Sequence, residues 1–392
     1  MTFIPYGRQD INQTDIDAVV DVLKSDFITQ GPAVPAFEQA IADYTRSQFC
    51  IAVNSATSAL HLACMALGVA SGDTVWTSPI TFVASANCAR YCGADVDFVD
   101  IDPDTFNLCP VKLRDKLKKH AAEDLPLPKV LIAVHMAGQS CAMKQIHALS
   151  LEYGFRIIED ASHAIGGRYL NEPIGQCTYS DICVFSFHPV KIVTTAEGGA
   201  LTTNNAELAK VLSQLRSHGI TRDQDDMLVK QSLDGDWFYE QQALGFNYRM
   251  TEMQAALGLS QMQRLDEFVE RRHSLVKDYR ELLGNLSLLL PDCADDYYSA
   301  FHLFIVRVPQ GSEVRKRLFE KLRNNNIGVN VHYIPVHFQP YYQKLGFRKG
   351  QFPAAESYYD GALSLPLYPS MTRDDQQAVV DVIYQFFDEL RR

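Results

Sequence analysis

The sequence predicts an α/β protein: a large unit built on a mostly parallel sheet wound by helices, followed by a smaller α/β unit. Three observations predict it. Short apolar, β-branched runs at 51–53, 74–76, 96–99, 130–134, 155–158, 182–185 and 200–203 alternate with helix-period segments, as strand–helix–strand units require. Each of the first six runs ends in a polar or small-residue turn, the edge at which such sheets bind ligands. After about residue 260 the pattern changes to two strand runs set among helices, so the division is placed at 1–260 and 261–392.

Composition narrows the class. A chain of 392 residues with 47% hydrophobic and 21% charged residues matches an ordinary globular enzyme long enough for two packed units. A net charge of −11 argues against a nucleic-acid surface, which needs a basic face. The nine cysteines form no CxxC pair; they read as reduced thiols rather than a disulfide framework or a metal site. The N-terminal MTFIPYGRQD lacks a basic-then-apolar leader, and no apolar run nears the ~18 residues of a membrane span. The expectation is a cytoplasmic protein with no membrane or nucleic-acid partner.

Taken in order, residues 11–24 carry Ile16, Val19, Val20 and Leu23 at helical spacing, with Asn12 or Thr14 as N-cap. A Gly-Pro turn, preceded by Asp26, Phe27, Ile28 and Thr29, feeds a second helix through Phe37, Ile41 and Tyr44. The stretch IAVNSATSALHLACMALG reads as a strand, a hydroxyl-rich turn and a helix over 59–67. Such a turn is either a plain Ser/Thr cap or an anion site, with free N–H groups, the helix dipole and the hydroxyls of Thr57 and Ser58 as donors. No Walker A or GxGxxG loop is present. A strand at 74–76 leads to Phe82, either core or a cover for a flat ligand, and to a helix over about 82–92. The acidic DIDPDTF is no calcium loop, because Thr105 stands where the turn glycine is needed. The strand at 130–134 ends at His135, and the one at 155–158 ends at Glu159-Asp160, with His163 three residues on.

The central stretch is SDICVFSFHPVKIVTTAEGGALTTNN, residues 180–205. A buried strand ends at a turn holding Ser186, His188 and Lys191, and the chain returns through Glu197-Gly198-Gly199 into a second strand. Lys191 is either an edge lysine that snorkels to water or a Schiff-base lysine whose amine is activated by partial desolvation. Beyond it come a helix over 204–218 and a polar loop at 219–243. A helix capped by Thr251 with Gln254 follows, then a helix over 266–283. Strands at 301–308 and 328–333 and helices at 312–324 and 372–390 complete the chain.

An anion turn, an aromatic, a strand-end carboxylate and a lysine at one sheet edge are the four things pyridoxal 5′-phosphate needs. The motifs NSATSALHLA, SPITFVASAN, EDASHAIGG, FSFHPVK with AEGGALTT, GFNYRMTEMQAALGL and VNVHYIP closely resemble the DegT/DnrJ/EryC1/StrS sugar aminotransferases across nearly the whole chain. The resemblance implies a fold-type I transferase acting as a homodimer with shared sites. It implies Lys191 as the cofactor-linking and proton-shuttling residue, Asp160 at the pyridine nitrogen, His163 at the ring hydroxyl and Phe82 over the ring. It implies Thr57, Ser58 and Ser186 at the phosphate, with Asn247 reaching in from the partner subunit toward phosphate or substrate. Tyr6, Asp26, Phe27, Ile28, Thr29, Ala56, Val331, His332 and Tyr333 would line the nucleotide-sugar pocket, joined by Ser186 and Asn247. Ala56 and His163 depart from the Gly and Gln of many members, and Lys191 departs from the histidine of the dehydrating ones. Within the family the pattern is nearest the branch that moves an amino group from L-glutamate to a UDP-linked 4-keto-6-deoxy-N-acetyl-hexose in pseudaminic acid synthesis. The alternatives are a sister enzyme acting on another UDP- or dTDP-keto sugar, and a non-catalytic cofactor-binding regulator.

Overall fold

The computed structural model describes residues 3–229, 235 and 237–391. Seven strands form the central sheet: β1 (Phe49–Val53), β2 (Thr74–Thr77), β3 (Asp95–Phe98), β4 (Val130–Val134), β5 (Arg156–Asp160), β6 (Ile182–Ser186) and β7 (Gly199–Thr203). Their spatial order is β1-β7-β6-β5-β4-β2-β3. Strands β3, β2, β4, β5 and β6 pair in parallel, whereas β7 pairs antiparallel with both β6 and β1. Strand β7 alone is therefore reversed, and the turns after the other six strands share one edge. Four of those strands, β1, β2, β4 and β5, deliver the segments beginning at Asn54, Ser78, His135 and Ala161 to that edge, and β6 delivers the turn that carries Lys191.

Buried runs explain the arrangement. Every residue of β4, β6 and β7 is buried, as expected for strands covered on both faces. One large apolar cluster joins the sheet to the helices Ala56–Ala66 and Ala84–Tyr91 through side chains such as Leu60, Leu62, Val75 and Ile132. Ile305, Val336 and Tyr342 from the C-terminal third pack into that same cluster. A second cluster gathers Leu275, Tyr279, Phe304, Leu322, Ile383 and Phe387 around the antiparallel pair β8 (Phe304–Arg307) and β9 (Ala362–Leu365). Ile4 joins it from the N-terminus, where the chain forms a parallel bridge to Ile327.

Several expectations meet their local chemistry. Asn12 caps the helix Gln13–Lys24, forming a reciprocal capping box with Asp15. Thr251 and Gln254 do the same for the helix Glu252–Met262. The helix Ser312–Asn324 occupies the predicted span.

Others are corrected. The helix expected from 59 begins at Ala56, because Ser55 is the N-cap and its Oγ accepts the Ser58 N–H at 3.1 Å. No strand forms at 328–333. A single bridge joins Asn330 to Ser364, and the carbonyl of His332, next in line along that bridge, accepts the Tyr358 hydroxyl instead, so the ladder ends there. The polar stretch 219–243 is not wholly a loop: Ile220–Thr221 pairs antiparallel with Glu240–Gln241. Residues 230–234 and 236 of that stretch lie outside the described residues. Among the described residues no helix is long and apolar enough to cross a membrane.

Candidate active site

The hairpin around Lys191 is positioned by backbone. The Phe187 N–H donates to the Gly198 carbonyl at 2.9 Å, and the Thr195 N–H donates to the Phe187 carbonyl at 2.9 Å. Gly199 opens β7 directly beneath the turn after β1. A Cβ there would lie 2.6 Å from the Ala56 amide nitrogen and 2.7 Å from the Ser55 carbonyl carbon, so only glycine lets the lysine hairpin and the anion turn approach this closely.

Between them opens a cavity of about 590 Å³. Of the residues singled out in the sequence, Tyr6, Ala56, Thr57, Phe82, Asp160, His163, Ser186, Lys191, Val331, His332 and Tyr333 all line it. At its floor, Asp160 ends β5 and is buried. Ser85 Oγ donates to its Oδ2 at 2.6 Å, and Ser162 donates to its Oδ1 from both Oγ, at 2.6 Å, and the backbone N–H, at 3.1 Å. The carboxylate is thereby aimed while keeping lone pairs free for a cationic partner. Burial lowers the pKa of the Lys191 amine to about 8, against the opposing attraction of Asp160. An amine so placed loses its proton in mildly alkaline solution, where an ordinary lysine keeps it.

The far wall is neutral. Burial, then the nearby Lys191 charge, then His332 hold His163 well below its ordinary range. Burial and Lys191 hold His332 down to about 3. Tyr333 Oη and His163 Nε2 lie 3.0 Å apart, and burial pushes the phenol up. Phe82 is 58% exposed, at the cavity mouth, with its ring 6.1 Å from that of Tyr333, an apolar face able to cover a flat ring.

The anion turn differs in detail from the expectation. Thr57 faces the cavity, but Ser58 does not line it: its hydroxyl donates to Asn54 Oδ1 at 2.6 Å and its backbone N–H is held by Ser55. The helix Ala56–Ala66 still presents first-turn N–H groups with no intrahelical acceptor.

The structure does not bring every singled-out residue to this cavity. Phe27 and Ile28 are exposed, 56% and 54%, and with Asp26 and Thr29 they lie outside the lining. Their segment is tied instead to the helix Glu252–Met262, whose Glu252 accepts the Ala33 N–H at 2.5 Å and gives its own N–H to the Ile28 carbonyl at 3.2 Å. Asn247 is exposed and bridges to Ser217, also outside the lining. His135 lies at the predicted sheet edge but faces away, 2.7 Å from Glu159, with Nδ1 accepting the Cys141 N–H. Two residues of the site take no role from the motifs, Ser85, which stands within SPITFVASAN, and His302. Ser85 sits on the first turns of the helix Ala84–Tyr91, one turn after Phe82, and only the fold brings it to Asp160.

Comparison with known proteins decides the family. The model of the DegT/DnrJ/EryC1/StrS aminotransferase family matches residues 9–384. The chain belongs to that family. It is 38% identical over 386 residues to the spore coat polysaccharide biosynthesis protein SpsC of Bacillus subtilis, covering 97% of this chain and 96% of that one. It is 36% identical over 391 residues to a UDP-4-amino-4,6-dideoxy-N-acetyl-beta-L-altrosamine transaminase of Campylobacter jejuni, covering 99% of each. Its fold matches the PLP-form of a sugar aminotransferase from Streptococcus pneumoniae with a TM-score of 0.88 at 28% identity, covering 99% of both chains. The fold class is therefore that of the PLP-dependent sugar aminotransferases. Family members use pyridoxal 5′-phosphate, and this chain's residues fit it. The aimed carboxylate of Asp160, the desolvated amine of Lys191, the open face of Phe82 and the helix N-terminus at Ala56 are the groups the cofactor requires.

Proposed function

We propose that this enzyme transfers an amino group from L-glutamate to C4 of a UDP-linked 4-keto-6-deoxy-N-acetyl-hexose. The product would be UDP-4-amino-4,6-dideoxy-N-acetyl-β-L-altrosamine, in pseudaminic acid synthesis. The observation that carries the transaminase reading is the juxtaposition of a lysine amine of lowered pKa with a triply bonded carboxylate in one cavity. The substrate assignment is supported by the likeness to the C. jejuni altrosamine transaminase.

When bound, the cofactor supplies an electron sink that makes a substrate carbon acidic. The rest falls to the chain's own side chains. Asp160 holds a positive charge at the buried end of the cavity, and Ser85 and Ser162 keep its oxygens from turning away. Lys191, with an amine near pKa 8, accepts a proton and returns it within one active-site geometry, as a general base and then a general acid. The first turn of the helix Ala56–Ala66, with Thr57 and Ser186, holds the cofactor phosphate. Phe82 and Tyr333 shut water from the reacting face. Asp26, Phe27, Ile28 and Thr29 complete the nucleotide-sugar pocket and Asn247 enters the neighbouring site, both in a homodimer working in the cytoplasm. The division at 1–260 and 261–392 separates the cofactor-holding part from a smaller C-terminal part.

Absorption spectra of the cofactor-loaded enzyme test this reading. Glutamate should bleach the band of the lysine-bound cofactor, and the UDP-4-keto sugar should restore it. The likeness to SpsC favours a sister reading, in which another nucleotide-linked keto sugar is the acceptor. A band that responds to glutamate but not to the UDP-4-keto sugar would select it.

A further inference from the structure

His302 is a buried histidine that the reaction as described does not use. It is 5% exposed, it lines the cavity, and its ring centroid lies 4.6 Å from that of His163. Its Nδ1 is buried with no hydrogen-bond partner among the described residues. A buried polar atom left unpaired is costly, and a leucine of similar bulk would fill the space without that cost.

The backbone is nevertheless held so as to place this ring. Arg272, itself buried, donates from one guanidinium nitrogen to the carbonyls of Phe301 and His302 at 3.2 Å each and of Leu367 at 3.0 Å. Phe301 adopts a left-handed φ of 43°, and the Ala300 N–H donates to the Gly138 carbonyl at 3.0 Å. A left-handed non-glycine residue and a buried arginine are both unfavourable devices for holding an inert side chain.

Burial, Lys191, His163, Arg272 and His332 all oppose protonation of His302, so the ring is neutral. An unpaired buried N–H is the rarer orphan, and a bare acceptor is the less costly of the two. The proton therefore sits on Nε2, and Nδ1 is the bare lone pair.

We propose that His302 is a substrate-recognition residue whose Nε2–H donates to an oxygen of the acceptor sugar bound beside Lys191. The inference rests on the nucleotide-sugar reading above and adds to it a neutral donor suited to a carbonyl or hydroxyl oxygen. It gives Nε2, which has no hydrogen-bond partner among the described residues, the acceptor it lacks in the free enzyme.

Calorimetric titration of the cofactor-loaded enzyme with UDP and with UDP-N-acetylglucosamine, a non-reacting probe, tests it alongside melting temperatures. His302→Leu should weaken the sugar probe by about 2- to 13-fold, the range of one neutral hydrogen bond. It should leave UDP binding unchanged and the melting temperature equal or higher. His302→Gln, which keeps an N–H near the Nε2 position, should restore the probe's affinity to within about 3-fold. Equal probe affinity in wild type and His302→Leu would overturn the inference. So would a variant that melts lower and loses UDP and probe alike, because that is a structural role. A wild-type enzyme that binds neither ligand would overturn the nucleotide-sugar reading, and this inference with it.

Discussion

Ser85 Oγ donates to Asp160 Oδ2 at 2.6 Å across 75 residues of sequence. The bond ties the first turns of the helix Ala84–Tyr91 to the end of β5 and decides which way the carboxylate points. Ser162 serves the other oxygen twice, through hydroxyl and backbone.

That asymmetry makes a prediction. Ser85→Ala removes the one donor to Oδ2 among the described residues, whereas Ser162→Ala leaves the backbone donor on Oδ1. A hydrogen bond to a charged group contributes ~1.5–3 kcal/mol. Turnover and cofactor retention should fall roughly ten-fold or more in Ser85→Ala, and distinctly less in Ser162→Ala. Steady-state rates and cofactor titration followed by absorbance measure both.

The amine of Lys191 makes stability depend on pH in the cofactor-free chain. Unfolded, it keeps its proton to about 10.5; folded, only to about 8. Between these values the unfolded state binds more protons, so stability rises with pH across that window. Below pH 8 both states are protonated, and the desolvation cost is present in full. Lys191→Met should therefore raise the melting temperature at pH 7, and the gain over wild type should shrink as pH approaches 10. The same variant should show no amino transfer. A constant difference across that window would remove desolvation as the cause.

Thr57 and Ser58 should separate in function. The Ser58 hydroxyl is spent on Asn54 and Ser55 inside the turn, and Thr57 faces the cavity. Ser58→Ala should lower the melting temperature, at a cost of ~0.5–2 kcal/mol, the range for lost capping and turn bonds. Thr57→Val should leave stability nearly unchanged and weaken cofactor binding several-fold. Thermal melts and cofactor titration on each variant distinguish the two.

What was legible in the sequence follows from range. Lys191, Asp160 and Phe82 stand at ends of short periodic runs, and strand ends collect at one edge of a wound sheet whatever else the chain does. Capping at Asn12, Thr251 and Asn205 is local chemistry and could be read locally, although only the first two were. Ser85 and His302 were out of reach because each acts through a partner more than seventy residues away: Asp160 for the one, His163 for the other. The expected strand at 328–333 fails for the opposite reason. Its alternation of apolar and polar residues was real, but the His332 carbonyl is taken by the Tyr358 hydroxyl, a distant partner that local pattern does not weigh against the ladder.

Gly199 is where the two halves of the site meet. The glycine opens β7 directly beneath the turn after β1, and a methyl group there would come within 2.6–2.8 Å of Ala56 and Ser55 backbone atoms. Backbone cannot rotate aside as a flexible side chain can, so Gly199→Ala must displace the anion turn, the hairpin or both. Overpacking of this kind costs ~1–3 kcal/mol. The displaced turn carries the first-turn N–H groups, so cofactor affinity should fall more than stability alone explains. The comparison that isolates the effect is Gly199→Ala against Ala200→Gly, one residue along the same strand, where β7 is paired on both sides. Ala200→Gly should lower the melting temperature and leave cofactor affinity within about two-fold. Gly199→Ala should lower both, with phosphate alone as a competing ligand losing affinity in parallel with the cofactor.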